Sequence, residues 1–415
     1  MGTADSCRRC RFCGSLLHHT FIDLGASPLC ESFLTAEQLD DMEPHYPLRA
    51  EVCGACFLVQ VKEYVPPERI FSEYAYFSSY SESWLTHAKV YAHAMADRFA
   101  LGRNSLVVEV GSNDGYLLQY FVELQIPVLG VEPAANVARA AVGRGVSTLV
   151  AMFDETTARQ LVASGQGADL LVGNNVLAQV SDLNGFVAGL KVLLRPKGVI
   201  TLEFPHLLRL MEENQFDTVY HEHFSYFSLT TVRKILGAHE LTLFDVEELQ
   251  THGGSLRIYA RHSSDASRPI QPRVTELTVR EDVAGLTRLA AYKSFDEQVK
   301  ATKRKLLDFL IGVKRDGKSV AGYGAPGKGN TLLNYCGIRT DFLEYTVDRN
   351  PYKHGRFTPG TRIPIYAPSK IMETKPDYVL ILPWNVKDEI MEQMAGIRGW
   401  GGRFVVPIPE VKVYP

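Results

Sequence analysis

Short apolar runs alternate with amphipathic stretches through the middle of the chain. The runs are rich in β-branched residues and are bounded by turn residues, which is typical of buried strands. Four of them are predicted as strands, at residues 105–110, 127–131, 169–175 and 197–205. Residues 116–123, between the first two, predict a helix. Strands that alternate with helices in this way predict a doubly wound parallel sheet.

The last third of the chain repeats this alternation after a charged connector. Residues 256–261 alternate apolar and polar positions, as a strand with one buried face does, and they follow the glycine turn T-H-G-G-S. Residues 264–315 are charged and favour helix. Strands predicted at 319–323, 342–347 and 378–382 then indicate a second α/β sheet.

Composition limits the class of protein. With 415 residues the chain is too long for one ordinary core. A net charge of -3 gives no general attraction for nucleic acid. The sequence has no apolar run long enough to span a membrane, and its first residues lack the apolar centre of a signal peptide. We therefore expect a cytoplasmic enzyme that binds neither nucleic acid nor membrane.

Six of the seven cysteines fall within the first 56 residues. Two C-x-x-C pairs, Cys10 with Cys13 and Cys53 with Cys56, have the spacing that turns two thiolates toward one ion. Together they predict a structural Zn²⁺ site with four sulfur ligands and no open position for catalysis. Cys7 with Cys10 is a rival first pair, but it lacks the glycine that follows the other pair.

A glycine turn follows the first predicted strand of the central sheet. Gly111 to Gly115 reads G-S-N-D-G, and Glu132 ends the next strand, 21 residues after Gly111. A carboxylate at that place can accept hydrogen bonds from both hydroxyls of an adenosyl ribose. The turn is not the dinucleotide fingerprint G-x-G-x-x-G. Glu109-x-Gly111-x-x-x-Gly115 instead resembles motif I of the class I S-adenosylmethionine-dependent methyltransferases.

This resemblance implies S-adenosylmethionine as cofactor and a Rossmann-like central domain. Phe153 and Asp154 stand where such enzymes hold the adenine, and Asn174 lies near the end of the strand predicted at 169–175. The cofactor set implied is Glu109, Gly111, Asn113, Gly115, Glu132, Phe153, Asp154 and Asn174.

Titratable side chains are concentrated just after the strand predicted at 197–205. Residues 217–227 read D-T-V-Y-H-E-H-F-S-Y-F, and dense polar groups among large aromatics are poor core material. Histidine is the natural base near neutral pH, and burial beside Glu222 would tune its charge and orientation, so this segment supplies candidate catalytic groups. Tyr74, upstream, supplies aromatic surface and a phenol.

A second glycine loop lies in the C-terminal part. Residues 322–330 nearly match the phosphate loop of ATPases, but Gly329 stands where a magnesium-binding hydroxyl is needed. The loop amides and Lys328 at a helix start would still suit a diphosphate. Arg349 follows the next predicted strand, at the strand end where ligands bind in such folds.

In this order, the C-x-x-C pairs, E-V-G-S-N-D-G, Y-H-E-H-F, H-G-G-S and G-Y-G-A-P-G-K-G-N resemble the sugar C-3 methyltransferases of TDP-deoxysugar biosynthesis. The resemblance covers nearly the whole chain. It implies methylation at C-3 of a TDP-linked 4-keto-deoxysugar, through an enolate formed by loss of the C-3 proton. His223 would be the base, with Glu222 and Tyr220 orienting it or the sugar, and Tyr74 would line the sugar pocket. The substrate set implied is Lys328, Gly327, Tyr323, Asn330 and Arg349.

We expect three domains in a mixed α/β chain: a zinc-binding domain at 1–68, a cofactor domain at 69–263 and a second Rossmann-like domain for the nucleotide-sugar at 264–415. Linked domains could enclose the site in a monomer. We expect the substrate to be a small molecule. An O- or N-methyltransferase acting on a sugar or another natural-product scaffold is the alternative.

One position departs from the family pattern. The family pattern carries a histidine in N-V-x-A-H-V-P after the strand that corresponds to 169–175, and this chain has Gln179 there. Glutamine cannot serve as a base, so we interpret Gln179 as a pocket residue and leave the base at His223.

Overall fold

The computed structural model describes residues 9–70 and 77–415, which form three β-sheets with helices packed around them. The mixed α/β class is confirmed. None of the described helices is both long enough and apolar enough to cross a membrane.

The first sheet is antiparallel and contains four strands in the order β1-β2-β3-β9. These are β1 His19–Ser27, β2 Tyr46–Val52, β3 Val59–Val61 and β9 Ser225–Tyr226. The fourth strand comes from far along the chain and pairs Val59 with Tyr226. The cysteine segment is therefore joined by main-chain hydrogen bonds to the segment 217–227, whose His221 and His223 we call the histidine cluster.

The central sheet has seven strands in the order β10-β11-β8-β7-β4-β5-β6. Its strands are β4 Val107–Val110, β5 Val128–Val131, β6 Thr148–Leu149, β7 Ala168–Asn174, β8 Leu194–Pro205, β10 Leu241–Leu249 and β11 Ser255–His262. The five strands from β4 to β8 are parallel, and β10 and β11 form an antiparallel hairpin against β8. The strand order reverses between β4 and β7, and ligands of such sheets bind outside the carboxyl ends at that point.

The third sheet follows the order β14-β13-β12-β15-β16-β17. Its strands are β12 Val320–Tyr323, β13 Thr346–Val347, β14 Ile365–Tyr366, β15 Tyr378–Ile381, β16 Arg403–Val406 and β17 Lys412–Tyr414. Only β17 is antiparallel to its neighbour. This is the second α/β sheet that the sequence predicts.

Fourteen α-helices lie in the described part of the chain. They are α1 Pro67–Ile70, α2 Glu82–Arg98, α3 Leu118–Glu123, α4 Ala135–Gly143, α5 Glu155–Ala163, α6 Leu183–Leu193, α7 Leu207–Glu212, α8 Leu229–Ala238, α9 Pro272–Val283, α10 Leu289–Lys293, α11 Phe295–Arg315, α12 Gly327–Cys336, α13 Ser369–Thr374 and α14 Lys387–Gln393. Helices α9, α10 and α11 occupy the predicted connector. Along α11 the buried residues recur every three or four positions, so one face packs on the core and the charged face meets solvent.

The sheets share their hydrophobic cores. Phe21 of β1 stacks on Phe295 of α11 with ring centroids 4.8 Å apart, so the first sheet packs on the C-terminal helices. The buried cysteines Cys10, Cys53 and Cys56 belong to a second core together with the central sheet. The zinc-binding segment thus packs against both the central sheet and the C-terminal helices.

Candidate active site

The cysteine pairs come together as the spacing predicts. The ligand atoms of Cys10, Cys13, Cys53 and Cys56 all lie within 4.8 Å of one another, and two Sγ–Sγ distances, Cys10 to Cys56 and Cys13 to Cys53, are 3.5 Å. Zn–S bonds of about 2.3 Å in a tetrahedron place sulfurs about 3.8 Å apart, so this cluster fits Zn²⁺. The rival ligand Cys7 lies outside the described residues.

The glycine turn after β4 closes against Glu132. The carboxylate of Glu132 accepts hydrogen bonds from the backbone N–H groups of Asn113 and Ala134, each at 2.9 Å. Gly111 has a φ of +69°, and a Cβ there would lie 3.1 Å from Val176, so the turn requires glycine at that position. The acidic side chain at the end of β5 is therefore held rigidly beside the turn.

Near the carboxyl ends of β4 and β7 the central sheet carries a buried acid and a buried amide side chain without a hydrogen-bond partner in the described part of the chain. Glu109 is fully buried, and burial raises the pKa of its carboxyl well above the usual range. Both polar side-chain atoms of Asn174 are buried without a hydrogen-bond partner among the described residues. S-adenosylmethionine has a sulfonium, an ammonium group and hydroxyls, which need acidic groups and hydrogen-bond partners in the protein. The buried acid and this amide side chain supply these, so the site fits S-adenosylmethionine.

The residues implied for the adenine lie at the start of α5. Asp154 is exposed, and its Oδ1 accepts a hydrogen bond of 2.7 Å from the Thr157 amide, capping the helix. The ring of Phe153 packs edge-on against Phe186 at 5.5 Å. Asp154 thus has a structural role, and its other oxygen remains for a ligand.

The histidine cluster forms one connected site. The Tyr220 hydroxyl lies 3.0 Å from Nε2 of His223, and the amide of Tyr220 donates to the Tyr226 hydroxyl at 3.2 Å. Burial lowers the pKa of His223 to about 3, so the imidazole is neutral at pH 7. A cavity of about 10 Å³ borders His223, Thr218 and Ala178.

Glu222 faces a different group of residues from its neighbour His223. Its carboxyl lies 3.6 Å from the Sγ of Cys30. Burial, together with the nearby charge of Glu31, raises the pKa of Glu222 to about 8. Glu222 is therefore protonated at neutral pH, and it joins the segment 217–227 to the turn at residues 30 and 31.

A second histidine, His252, was not assigned to the site from the sequence. It has a left-handed φ of 55°, its Nε2 lies 3.2 Å from Asn175 Nδ2, and its ring lies 5.0 Å from the Trp84 ring. Burial lowers the pKa of His252 to about 4, with a further contribution from Lys328. The only sequence signal for this residue is a histidine directly before two glycines.

Lys328 points into the junction between the C-terminal domain and the histidine cluster. Its Nζ donates to Asn385 Oδ1 at 2.8 Å and lies 4.5 Å from the Trp384 ring. Trp384 Nε1 donates to Asp217 at 2.8 Å, and a Cβ on Gly253 would lie 2.5 Å from the Trp384 ring. Trp384 thus brings Lys328, Asp217 and the H-G-G turn together.

The other residues implied for the substrate have separate partners. Asn330 Nδ2 donates to the Cys30 carbonyl at 2.6 Å, and the backbone of Gly327 hydrogen-bonds the Glu31 carboxylate. Tyr323 donates to Gln393 at 3.3 Å, and Arg349 pairs with Glu389 at 3.2 Å. The carboxylate beside the start of α12 therefore comes from the turn after β1, and it also pairs with Lys353 at 3.4 Å.

Two remaining predictions concern Tyr74 and Gln179. Tyr74 lies outside the described residues. Gln179 ends a short 3-10 helix, and the carbonyl of its neighbour Ala178 accepts a hydrogen bond from the Phe224 amide at 2.7 Å. Gln179 is partly exposed and lies in the segment bonded to the one that carries His223.

Solved methyltransferases share part of the chain at low similarity. Magnesium protoporphyrin IX methyltransferase (ChlM) from Synechocystis PCC 6803 with bound SAH is 16% identical, covers 43% of this chain and 83% of its own, and has a TM-score of 0.34. The glycopeptide N-methyltransferase MtfA complexed with S-adenosyl-L-methionine is 13% identical, covers 42% of this chain and 94% of its own, and has the same TM-score of 0.34.

Three family models match successive parts of the chain. They are described as "Putative zinc binding domain" over residues 10–71, "Methyltransferase domain" over 84–246 and "C-methyltransferase C-terminal domain" over 250–409. C-methyltransferase NovU from Streptomyces niveus is 35% identical over 407 residues, which is 97% of this chain and 96% of the relative. With this similarity across nearly its whole length, the chain belongs to the family of S-adenosylmethionine-dependent C-methyltransferases with an N-terminal zinc-binding domain.

Proposed function

We propose that the enzyme adds a methyl group to C-3 of a TDP-linked 4-keto-deoxysugar in antibiotic deoxysugar biosynthesis. The observation that carries this proposal is the neutral imidazole of His223, held by Tyr220 beside Pro205 at the carboxyl end of β8. A carbon nucleophile requires removal of a C–H proton, and the ketone at C-4 acidifies the hydrogen at C-3. A base that is free of its own proton at pH 7 suits that step.

His223 takes the C-3 proton in this proposal. Burial holds the pKa of its imidazolium at about 3 in the free enzyme. Negative charge on the enolate beside the ring stabilises the imidazolium, so the pKa of His223 rises as the proton moves. Tyr220 keeps the ring orientation through its hydroxyl, and Glu222 and Tyr74 are proposed to contact the sugar.

The C-terminal domain is proposed to hold the nucleotide-diphosphate through Lys328, Gly327, Tyr323, Asn330 and Arg349. The ammonium of Lys328 supplies positive charge at the junction of the domains, which suits an anionic substrate. Because the Glu31 carboxylate already bonds the Gly327 backbone, a diphosphate at this helix end would replace one anion by another.

When bound, S-adenosylmethionine supplies an electrophilic methyl group on a sulfonium centre. Glu132 is proposed to accept hydrogen bonds from the ribose hydroxyls, with Glu109, Gly111, Asn113 and Gly115 forming the turn beneath. Phe153 and Asp154 are proposed to bracket the adenine, and Asn174 to complete the pocket. The domain limits 1–68, 69–263 and 264–415 belong to the same proposal, in which one chain contains a complete site.

A panel of nucleotide-linked 4-ketosugars, incubated with S-adenosylmethionine in D₂O, tests the proposal. We expect mass spectrometry to find one added methyl group on a TDP-linked sugar, and NMR to place it at C-3. Deuterium should enter C-3 of the unreacted sugar when the cofactor is left out. Methylation on oxygen or nitrogen, or methylation with no C-3 exchange in any sugar, would contradict it.

A further inference from the structure

Arg11 lies between two of the zinc-binding cysteines and extends its side chain away from the metal cluster. Its Nη2 donates to the Val61 carbonyl at 2.6 Å, and its Nη1 lies 3.4 Å from the carbonyls of Val180 and Ser181. The guanidinium carbon lies 5.4 Å from the centroid of the Phe224 ring. One side chain thus contacts three segments that are far apart in sequence.

The backbone of Phe224 joins the same three segments. Its amide donates to the Ala178 carbonyl at 2.7 Å, and its carbonyl accepts from the Val61 amide at 3.0 Å. Phe224 directly follows His223 and directly precedes β9. The guanidinium therefore contacts the place where these three segments meet. The backbone there sets the orientation of the adjacent His223 side chain.

The position of Arg11 is in turn fixed by the zinc-binding loop. The Arg11 amide donates to Gln60 Oε1 at 3.0 Å, and Gln60 Nε2 donates to the Sγ of Cys10 at 3.3 Å. The Arg11 carbonyl accepts from Asn184 Nδ2 at 3.2 Å. A displacement of the thiolate cluster would move the guanidinium with it.

We propose that Arg11 is a positioning residue for methyl transfer. It couples the position of the zinc-binding loop to the position of the segment bearing Tyr220 and His223. The inference rests on the proposed function in taking His223 as the base. A guanidinium presents donors in fixed directions and can also cover an aromatic ring, whereas lysine offers a single ammonium. Arg11→Lys should therefore keep the charge and lose the alignment.

The matched control is Arg9→Lys. Arg9 is an exposed arginine on the same loop, with one hydrogen bond of 3.2 Å to the Gly14 carbonyl. For Arg11→Lys we expect kcat with the accepted ketosugar to fall by about 10- to 100-fold, because displacements of about 1 Å have effects of that size. Bound zinc per chain and the KM for S-adenosylmethionine should stay at wild-type values. Arg9→Lys should match the wild type in all three.

A spectroscopic measurement tests the geometry without any substrate. In protein labelled with ¹⁵N-histidine, the His223 resonance, assigned with His223→Asn, should shift in Arg11→Lys and stay in place in Arg9→Lys. Phe224→Leu removes the ring beneath the guanidinium and should shift the same resonance, so it replaces Arg11→Lys if that variant does not fold.

An unshifted His223 resonance, unchanged kcat in Arg11→Lys, or loss of zinc together with activity would each overturn the inference. Failure of the proposed function has a different signature, namely full activity in His223→Asn. A shifted resonance in Arg11→Lys together with a fully active His223→Asn would therefore reject His223 as the base. It would leave the effect of Arg11 on the geometry of this segment intact.

Discussion

The hydroxyl of Tyr220 lies 3.0 Å from Nε2 of His223, and their ring centroids are 4.1 Å apart. The two side chains are three residues apart, and their ring planes are inclined at 35° to each other. The hydrogen bonds at Phe224 and Tyr226 anchor the segment that carries them. In the tautomer with the proton on Nδ1, the Nε2 lone pair accepts from the Tyr220 hydroxyl, and the base is then pre-oriented. The substrate must then displace or share the Tyr220 hydroxyl.

His223→Asn should abolish methyl transfer and C-3 deuterium exchange, since asparagine cannot accept the proton. General base catalysis contributes about 10²- to 10⁴-fold, so kcat should fall by at least that range. Tyr220→Phe retains the base and loses only its alignment, and should lower kcat by about 10-fold. The affinity for S-adenosylmethionine, measured by calorimetry, should change less than twofold in both. Equal losses in the two variants would argue against separate roles.

The protonated carboxyl of Glu222 gives a prediction for stability against pH. Burial, the charge of Glu31 and the neighbouring Cys30 and Lys353 together leave the pKa of Glu222 at about 8, above its ordinary 4.5. In the unfolded chain Glu222 ionises as pH rises past 4.5, and in the folded chain it does not. Glu222 therefore destabilises the fold progressively from about pH 4.5 to 8, and the effect is constant above that range.

Glu222→Gln removes this titration. Its melting temperature relative to wild type should rise between pH 5 and pH 8 by a few degrees, corresponding to an effect of roughly a few kcal/mol. The exposed Glu123→Gln should show no such trend. A melting-temperature difference that is flat across this range would mean that Glu222 is ionised in the folded enzyme.

The central sheet could be predicted from sequence because its signals are local. Each strand from β4 to β8, apart from the two-residue β6, is a short apolar run, and predicted and observed bounds mostly agree within a few residues. The C-x-x-C pairs are equally local, since two thiolates on one turn need only the right spacing. The sequence could therefore place the zinc cluster and the cofactor turn without any knowledge of how the domains meet.

Contacts between distant segments could not be predicted in this way. The strand β9 has two residues, and nothing in Ser225 and Tyr226 indicates that they pair with Val59. Likewise, the glycines around the start of α12 predict an anion site, but not that Glu31, almost 300 residues earlier, lies beside Gly327. His252 was missed because its left-handed backbone and its contact with Trp84 arise only when β11 is packed.

Zinc removal should affect more than the first sheet. A chelator, or Cys13→Ser, should lower bound zinc and the melting temperature, because the metal fixes a loop whose cysteines are part of the central core. Cys336→Ala is the control, as that buried thiol in α12 lies outside the four-sulfur cluster. Metal content by mass spectrometry and unfolding by circular dichroism check this. An unchanged melting temperature after verified removal of the metal would rule out a folding role.

The glutamine at 179 provides a test of where the base lies. Replacing it by histidine would add a second proton acceptor, because the Ala178–Phe224 hydrogen bond holds this segment against the one bearing His223. If His223 is the base, Gln179→His should leave kcat within about threefold of wild type, and His223→Asn with Gln179→His should stay inactive. Steady-state rates and C-3 exchange for the two variants decide the matter. Recovery of exchange in the double variant would show that residue 179 can supply the base.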